Sequence, residues 1–168
     1  MGYWGYFVVG RGERPLPELE ALAAVREGLT RRASAPGGWQ LWEYPSSDGD
    51  IGNMNDLARE TGAPALFGYV MNSECVVVEA AAPQSGAWTT CLARSAMAGY
   101  LGAGREGLTL EDYFLEPGDA AGRAVRWAAE AGYEVNADAV ADVLTSDPDP
   151  LAENLLFRFL DRLGVVPL

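Results

Sequence analysis

Between Pro64 and Pro83 the chain reads PALFGYVMNSECVVVEAAAP, two apolar runs flanking the polar triplet Asn72-Ser73-Glu74. β-Branched and aromatic side chains suit a pleated surface, and a three-residue polar connection joins antiparallel neighbours. The segment therefore predicts a hairpin with strands over 65–71 and 75–81. A hairpin this apolar is the centre or the edge of a sheet, and helices on either side have to cover it. The remaining sequence is read for those helices and for further strands.

Tyr3 to Val9 (YWGYFVV) predicts a strand that leaves through Gly10 and Gly12. Tyr3, Phe7 and Val9 fall on one face and Trp4, Tyr6 and Val8 on the other, the pattern of a strand covered on both sides. From Pro15 to Arg32, Leu16, Leu19, Leu22, Val25 and Leu29 recur at three- and four-residue spacing, which predicts an amphipathic helix. Ser34 to Gly38 is read as a loop, and Trp39 to Tyr44 as a strand stopped by Pro45. Asn53 caps a short helix over 54–61 that Gly62 ends.

After Ser85 the β-branched runs give way to Ala, Leu and Arg at helical spacing. Residues 88–101 are read as helix, with WTTCL equally compatible with a strand. Gly102, Gly104 and Gly107 mark a loop, and Thr109 caps a short segment through LEDYFL. Helices follow over 118–131, after the Asn136 cap, and over 151–163. The order β-α-β-α-β-β followed by helices predicts an α+β fold with a small, mainly antiparallel sheet of about four strands. It is read as a single domain over 1–168, with a sheet-forming half near 1–83 and a helical half near 84–168.

All 12 cationic side chains are Arg, with no Lys and no His. That bias suits a bacterial source genome, and it removes imidazole bases, His metal ligands, Schiff-base lysines and Ser-His or Cys-His pairs. Cys75 and Cys91 are the only cysteines, too few for a four-thiolate zinc site, and they read as reduced core thiols. A net charge of −12 repels nucleic-acid phosphates and anionic membranes. The sequence shows neither an export signal nor an apolar run of the ~20 residues that span a bilayer, so a cytoplasmic location is expected.

Three groups of residues remain as binding candidates. Asp48 and Asp50 open a polar loop that starts like a calcium loop, but Asn53 and Arg59 stand where that loop needs Gly and Glu. Turn and cap chemistry accounts for it, and no metal or cofactor is assigned. Glu43, Glu74 and Glu79 are the carboxylates closest to the expected sheet, the types that run acid-base hydrolysis when paired at ~5–10 Å. Trp39 and Trp42 stand on opposite faces of one strand with Tyr44 beside them; core beneath a second layer of helices is the first reading of these rings, and an aromatic binding patch is the alternative. No catalytic residue is assigned. The favoured function is non-catalytic: an acidic protein that engages a basic partner, in the manner of an inhibitor or immunity-type neutraliser. A carboxylate-dependent hydrolase or small-ligand binder stands second, and a domain that self-associates through an apolar sheet face third.

Overall fold

The computed structural model describes residues 2–46, 51–102, 110, 113–148 and 150–165. Its strands are β1 (Gly5–Arg11), β2 (Thr30–Ala35), β3 (Trp39–Tyr44), β4 (Ala65–Met71), β5 (Cys75–Ala82) and β6 (Gly86–Leu92). They form one antiparallel sheet in the order β2-β3-β1-β4-β5-β6. The helices are α1 (Met54–Thr61), α2 (Arg94–Gly102), α3 (Pro117–Glu130), α4 (Ala137–Leu144) and α5 (Ala152–Arg162). The α+β class and the helical C-terminal half agree with the sequence reading. The sheet has six strands rather than about four.

One additional strand, β2, spans the end of the expected helix and the start of the loop after it; the other, β6, falls largely in the segment read as helix or strand. Residues 16–18 and 20–28 are 3-10 turns, and the chain is extended again by Thr30. Leu16, Leu19, Leu22 and Val25 recur every three residues, so a helix with three residues per turn aligns them in one stripe. The segment then yields to β2, whose backbone pairs with β3. In 88–101 the strand alternative holds over Gly86–Leu92 and helix begins only at Arg94, which carries the sheet beyond residue 83. The Thr109 cap and most of LEDYFL lie outside the described residues.

The hairpin is formed as the sequence indicates, with Met71 opposite Cys75. The Glu74 N–H donates to the Met71 carbonyl at 2.9 Å across a turn whose two central residues, Asn72 and Ser73, both have φ of +54°. Two left-handed residues match the twist of antiparallel strands, and Asn accepts that conformation readily. Ser73 is held in it from three directions. Its N–H donates to the Tyr3 carbonyl, its Oγ accepts from the Tyr3 N–H and donates to Glu153, and its carbonyl accepts from Ala152 N–H.

Alternation divides the core in two. Phe7, Val9, Trp39, Leu41, Leu66, Val70, Val78 and Ala80 face α3, α4 and α5. Val8, Ala65, Phe67 and Ala81 face the 3-10 turns and α1. Asn53 caps α1 by accepting from Asn55 N–H, and Gly62 ends it with φ of +71°. On the first face the Trp127 indole N–H donates to the carbonyls of Ala65 and Ala81, both at 3.1 Å, tying α3 to two strands. Both outer strands are blunted. Arg123 donates to the carbonyls of Ser85, just before β6, and of Ala87 within it, Leu115 N–H donates to the Thr89 carbonyl, and β2 carries two exposed arginines and a bulge. Among the described residues no helix is long and apolar enough to cross a membrane.

α5 lies close against β4 because Gly68 has no side chain: a Cβ there would sit 2.6 Å from both Leu156 methyl carbons. Gly68→Ala is expected to destabilise the fold by about 1–3 kcal/mol through overpacking. Urea unfolding checks this, and a companion Leu156→Val substitution should recover part of the loss.

Candidate functional site

The register of the central strands sorts the sequence candidates by face. Trp42, Val8, Phe67 and Glu79 stand opposite one another across β3, β1, β4 and β5, and Tyr44, Tyr6 and Tyr69 form the next row. Side chains two residues apart along a strand share a face, so all of these lie on the side of the 3-10 turns and α1. The cover stops short of the second row. Val8 is buried completely, whereas Tyr6, Trp42, Tyr44 and Tyr69 are half-buried and Trp4 is 39% exposed.

The rings pack against one another and against the margin of the core formed by Val8, Leu57 and Phe67. Tyr6 stacks on Tyr69 with centroids 4.4 Å apart, meets Phe67 edge-on at 5.4 Å and lies 6.4 Å from Tyr44. Trp4 tilts against Tyr69 at 6.3 Å. The Arg31 guanidinium sits over the Trp42 ring, 5.0 Å from its centroid, held by the negative potential of the aromatic face. Trp42 is oriented from beneath: its indole N–H donates at 2.8 Å to Gln40 Oε1, which also accepts from Leu16 N–H at 3.0 Å. The Gln40 amide NH2 donates in turn to the Gly12 and Arg14 carbonyls, so this buried side chain is bonded at both ends.

Trp39 and Glu43 face the other way. Trp39 is buried, stacks on Trp127 at 5.9 Å and donates its indole N–H to Tyr133 Oη at 3.0 Å. It belongs to the core. Glu43 is buried between the Tyr3 hydroxyl, which donates to Oε2 at 2.5 Å, and Arg32, which donates to Oε1. Both carboxylate oxygens are occupied, and the Tyr3 hydroxyl is pushed well above its ordinary pKa by burial and by that hydrogen bond. Glu74 is exposed at the hairpin tip, where Asn72 donates to it. Glu43, Glu74 and Glu79 therefore do not converge. Glu43 and Glu79 are on opposite faces of the sheet, with β1 and β4 between their strands. Asp48 and Asp50 lie outside the described residues.

Two further surfaces stand out. From Trp127 to Phe157 the chain has seven carboxylates and no cationic residue. Glu134, Asp138, Asp142 and Asp147 are exposed along and beside α4, and none of them enters an ion pair among the described residues. Sequence reasoning registered only the total charge, although the Arg-free run was there to be counted. Between β6 and the start of α3 lies an open cleft of about 560 Å³ lined by Trp88, Tyr113, Phe114, Glu116, Asp119 and Arg123. One Arg123 nitrogen is already committed to the carbonyls that close the β6 edge. Among the described residues no group of three or more Cys, Asp or Glu is placed to hold a metal ion.

Fold and surface together define an α+β protein with a six-stranded antiparallel sheet, one face sealed by helices and the other left partly open over aromatic rings. Comparison with protein-family models, with curated proteins and with solved structures finds no match to this chain.

Cys75 and Cys91 are buried and not joined in a disulfide. Burial, reinforced by Cys91 and Glu74, pushes the Cys75 thiol up to about 12 from 9.0. A raised pKa means the folded state holds the proton more tightly than the unfolded one. Its contribution is complete below pH 9 and is lost as pH rises toward about 12. Urea midpoints are expected to fall over that window, and the fall should be shallower in Cys75→Ala than in the wild type. Equal slopes in the two proteins would contradict the assignment.

Proposed function

We propose that this protein is a non-catalytic binding protein that engages a basic partner protein, as an inhibitor or immunity-type neutraliser does. The observation that carries this reading is the uncompensated carboxylate ridge of α4 within a molecule of net charge −12. Excess charge of one sign accelerates encounter with a partner of the other and turns away like-charged surfaces. The predicted carboxylates favour it over hydrolysis, since Glu43 is locked between Tyr3 and Arg32 and the other two stand apart from it. An attraction of this kind needs no general base, nucleophile or bound cofactor.

The test is affinity capture from the native host's lysate at low and at moderate salt, with the wild type and with a Glu134→Gln, Asp138→Asn, Asp142→Asn triple variant. Proteins of high pI are expected on the wild type, in amounts that fall with salt as screening shortens the range of the field. For a purified partner the triple variant should associate several-fold more slowly while its dissociation changes little. Recovery of no basic protein at either salt would sink the reading.

A further inference from the structure

We infer that the half-open aromatic face of the sheet is the docking surface for that basic partner, whose arginine or lysine side chains stack on the rings of Trp4, Tyr6, Tyr44 and Tyr69. The inference rests on the proposed function for the sign of the partner's charge, and adds where the partner sits. The ridge on α4 attracts at a distance; the rings on the opposite side of the sheet provide short-range contact.

Three observations carry it. First, the ring cluster is built on three adjacent strands and braced by the Tyr6–Tyr69 stack and by the Gln40 bond to Trp42, so the surface is set before anything binds. Rigid tyrosines and tryptophans lose little freedom on contact, which is why such residues dominate binding hot spots. Second, the face already shows its preference for cations, because Arg31 rests on Trp42. The half-exposed rings beside it present the same negative quadrupole to a partner's guanidinium or ammonium group.

Third, the surroundings suit a cation. Glu79 is on the same face opposite Phe67, and Glu74 is exposed at the hairpin tip, where Gly2 and Tyr3 tie the approach to Trp4. Glu27 is exposed next to Gly28, and that glycine lies against the Tyr44 ring. A second copy fits less well. It would set a charge of −12 against another of −12. Nor is any of the five rings more exposed than the 39% of Trp4, leaving well under the ~800 Å² that each partner contributes to a stable interface. That area suits a few inserted side chains.

The experiment titrates the isotope-labelled full chain with a hexa-arginine peptide, with hexa-glutamate as the control, and follows the indole N–H and tyrosine ring signals by NMR. Hexa-arginine is expected to shift Trp4, Trp42 and the tyrosine rings, leaving the buried Trp39 and Trp127 in place, while hexa-glutamate shifts none of them. Trp4→Ala, at an exposed position that should not disturb folding, is expected to weaken the peptide roughly tenfold through faster dissociation. Peptide shifts confined to the α4 amides, with unchanged affinity in Trp4→Ala, would overturn the docking surface and leave the basic-partner reading standing. Absence of any hexa-arginine binding would overturn both. Ring shifts that grow with protein concentration alone, accompanied by a doubled sedimentation mass, would give the face to a second copy and overturn the inference.

Discussion

A sheet whose central strands are apolar on both sides has to be covered twice, and most of this structure follows from how the chain meets that demand. On one face the burial is complete. α3, α4 and α5 lie over Phe7, Val9, Leu41, Leu66 and Val78, and Trp127 reaches through to two strand carbonyls. On the other face the cover among the described residues is two short 3-10 turns with Leu29, Ile51 and the eight residues of α1. These seal the end of the sheet around Val8, Ala65 and Ala81. Beyond that end the chain uses a different kind of residue. Where aliphatic cover runs out, the residues that remain half-buried are Tyr and Trp, whose rings pack laterally and whose polar atoms tolerate water.

The sheet's margins are handled by hydrogen bonding more than by packing. Ser73, in the left-handed turn of the hairpin, gathers the N-terminal segment and the start of α5 onto one residue. Only a side chain small enough for that turn, and able both to donate and to accept, can do this. Arg123 and Leu115 saturate carbonyls along β6, while β2 is left to its arginines and a bulge. Arg32 on that strand also neutralises the buried Glu43, so one residue protects an edge and satisfies a charge. Without the pair, Glu43 would be a buried charge with no cation to balance it and only the Tyr3 hydroxyl bonded to it, a costlier state than the modest worth of an exposed ion pair.

What the sequence could convey depended on whether the signal was local. The hairpin, the Asn53 and Asn136 caps and the Gly62 stop rest on a few neighbouring residues and are found as read. β2 was hidden because TRRASA offers only Ala33 and Ala35 to the core and becomes a strand by pairing with β3. The site divides in the same way. That Trp39 and Trp42 point to opposite faces follows from the period of two. That Trp42 joins Tyr6 and Tyr69 requires the register between strands far apart in sequence, which no single run encodes. Glu43 looked like its neighbours Glu74 and Glu79, and only the fold brings Tyr3 and Arg32 to it.

The two kinds of surface differ in what they ask of the fold. Carboxylates along α4 require only that a helix face be exposed, and their mutual repulsion is tolerable because Val140, Val143 and Leu144 anchor the opposite side of that helix in the core. The aromatic rows require an exact strand register, since a slip by one residue in β1 would turn Tyr6 toward α5 and Phe7 toward water. Register on that side is fixed from the sealed face, where Phe7 meets Phe157 edge-on at 5.1 Å. The helices that bury one face of the sheet thereby determine which rings the other face presents. A change in the packing of α5 therefore reaches the aromatic surface through β1 itself, with no contact between the helix and those rings needed.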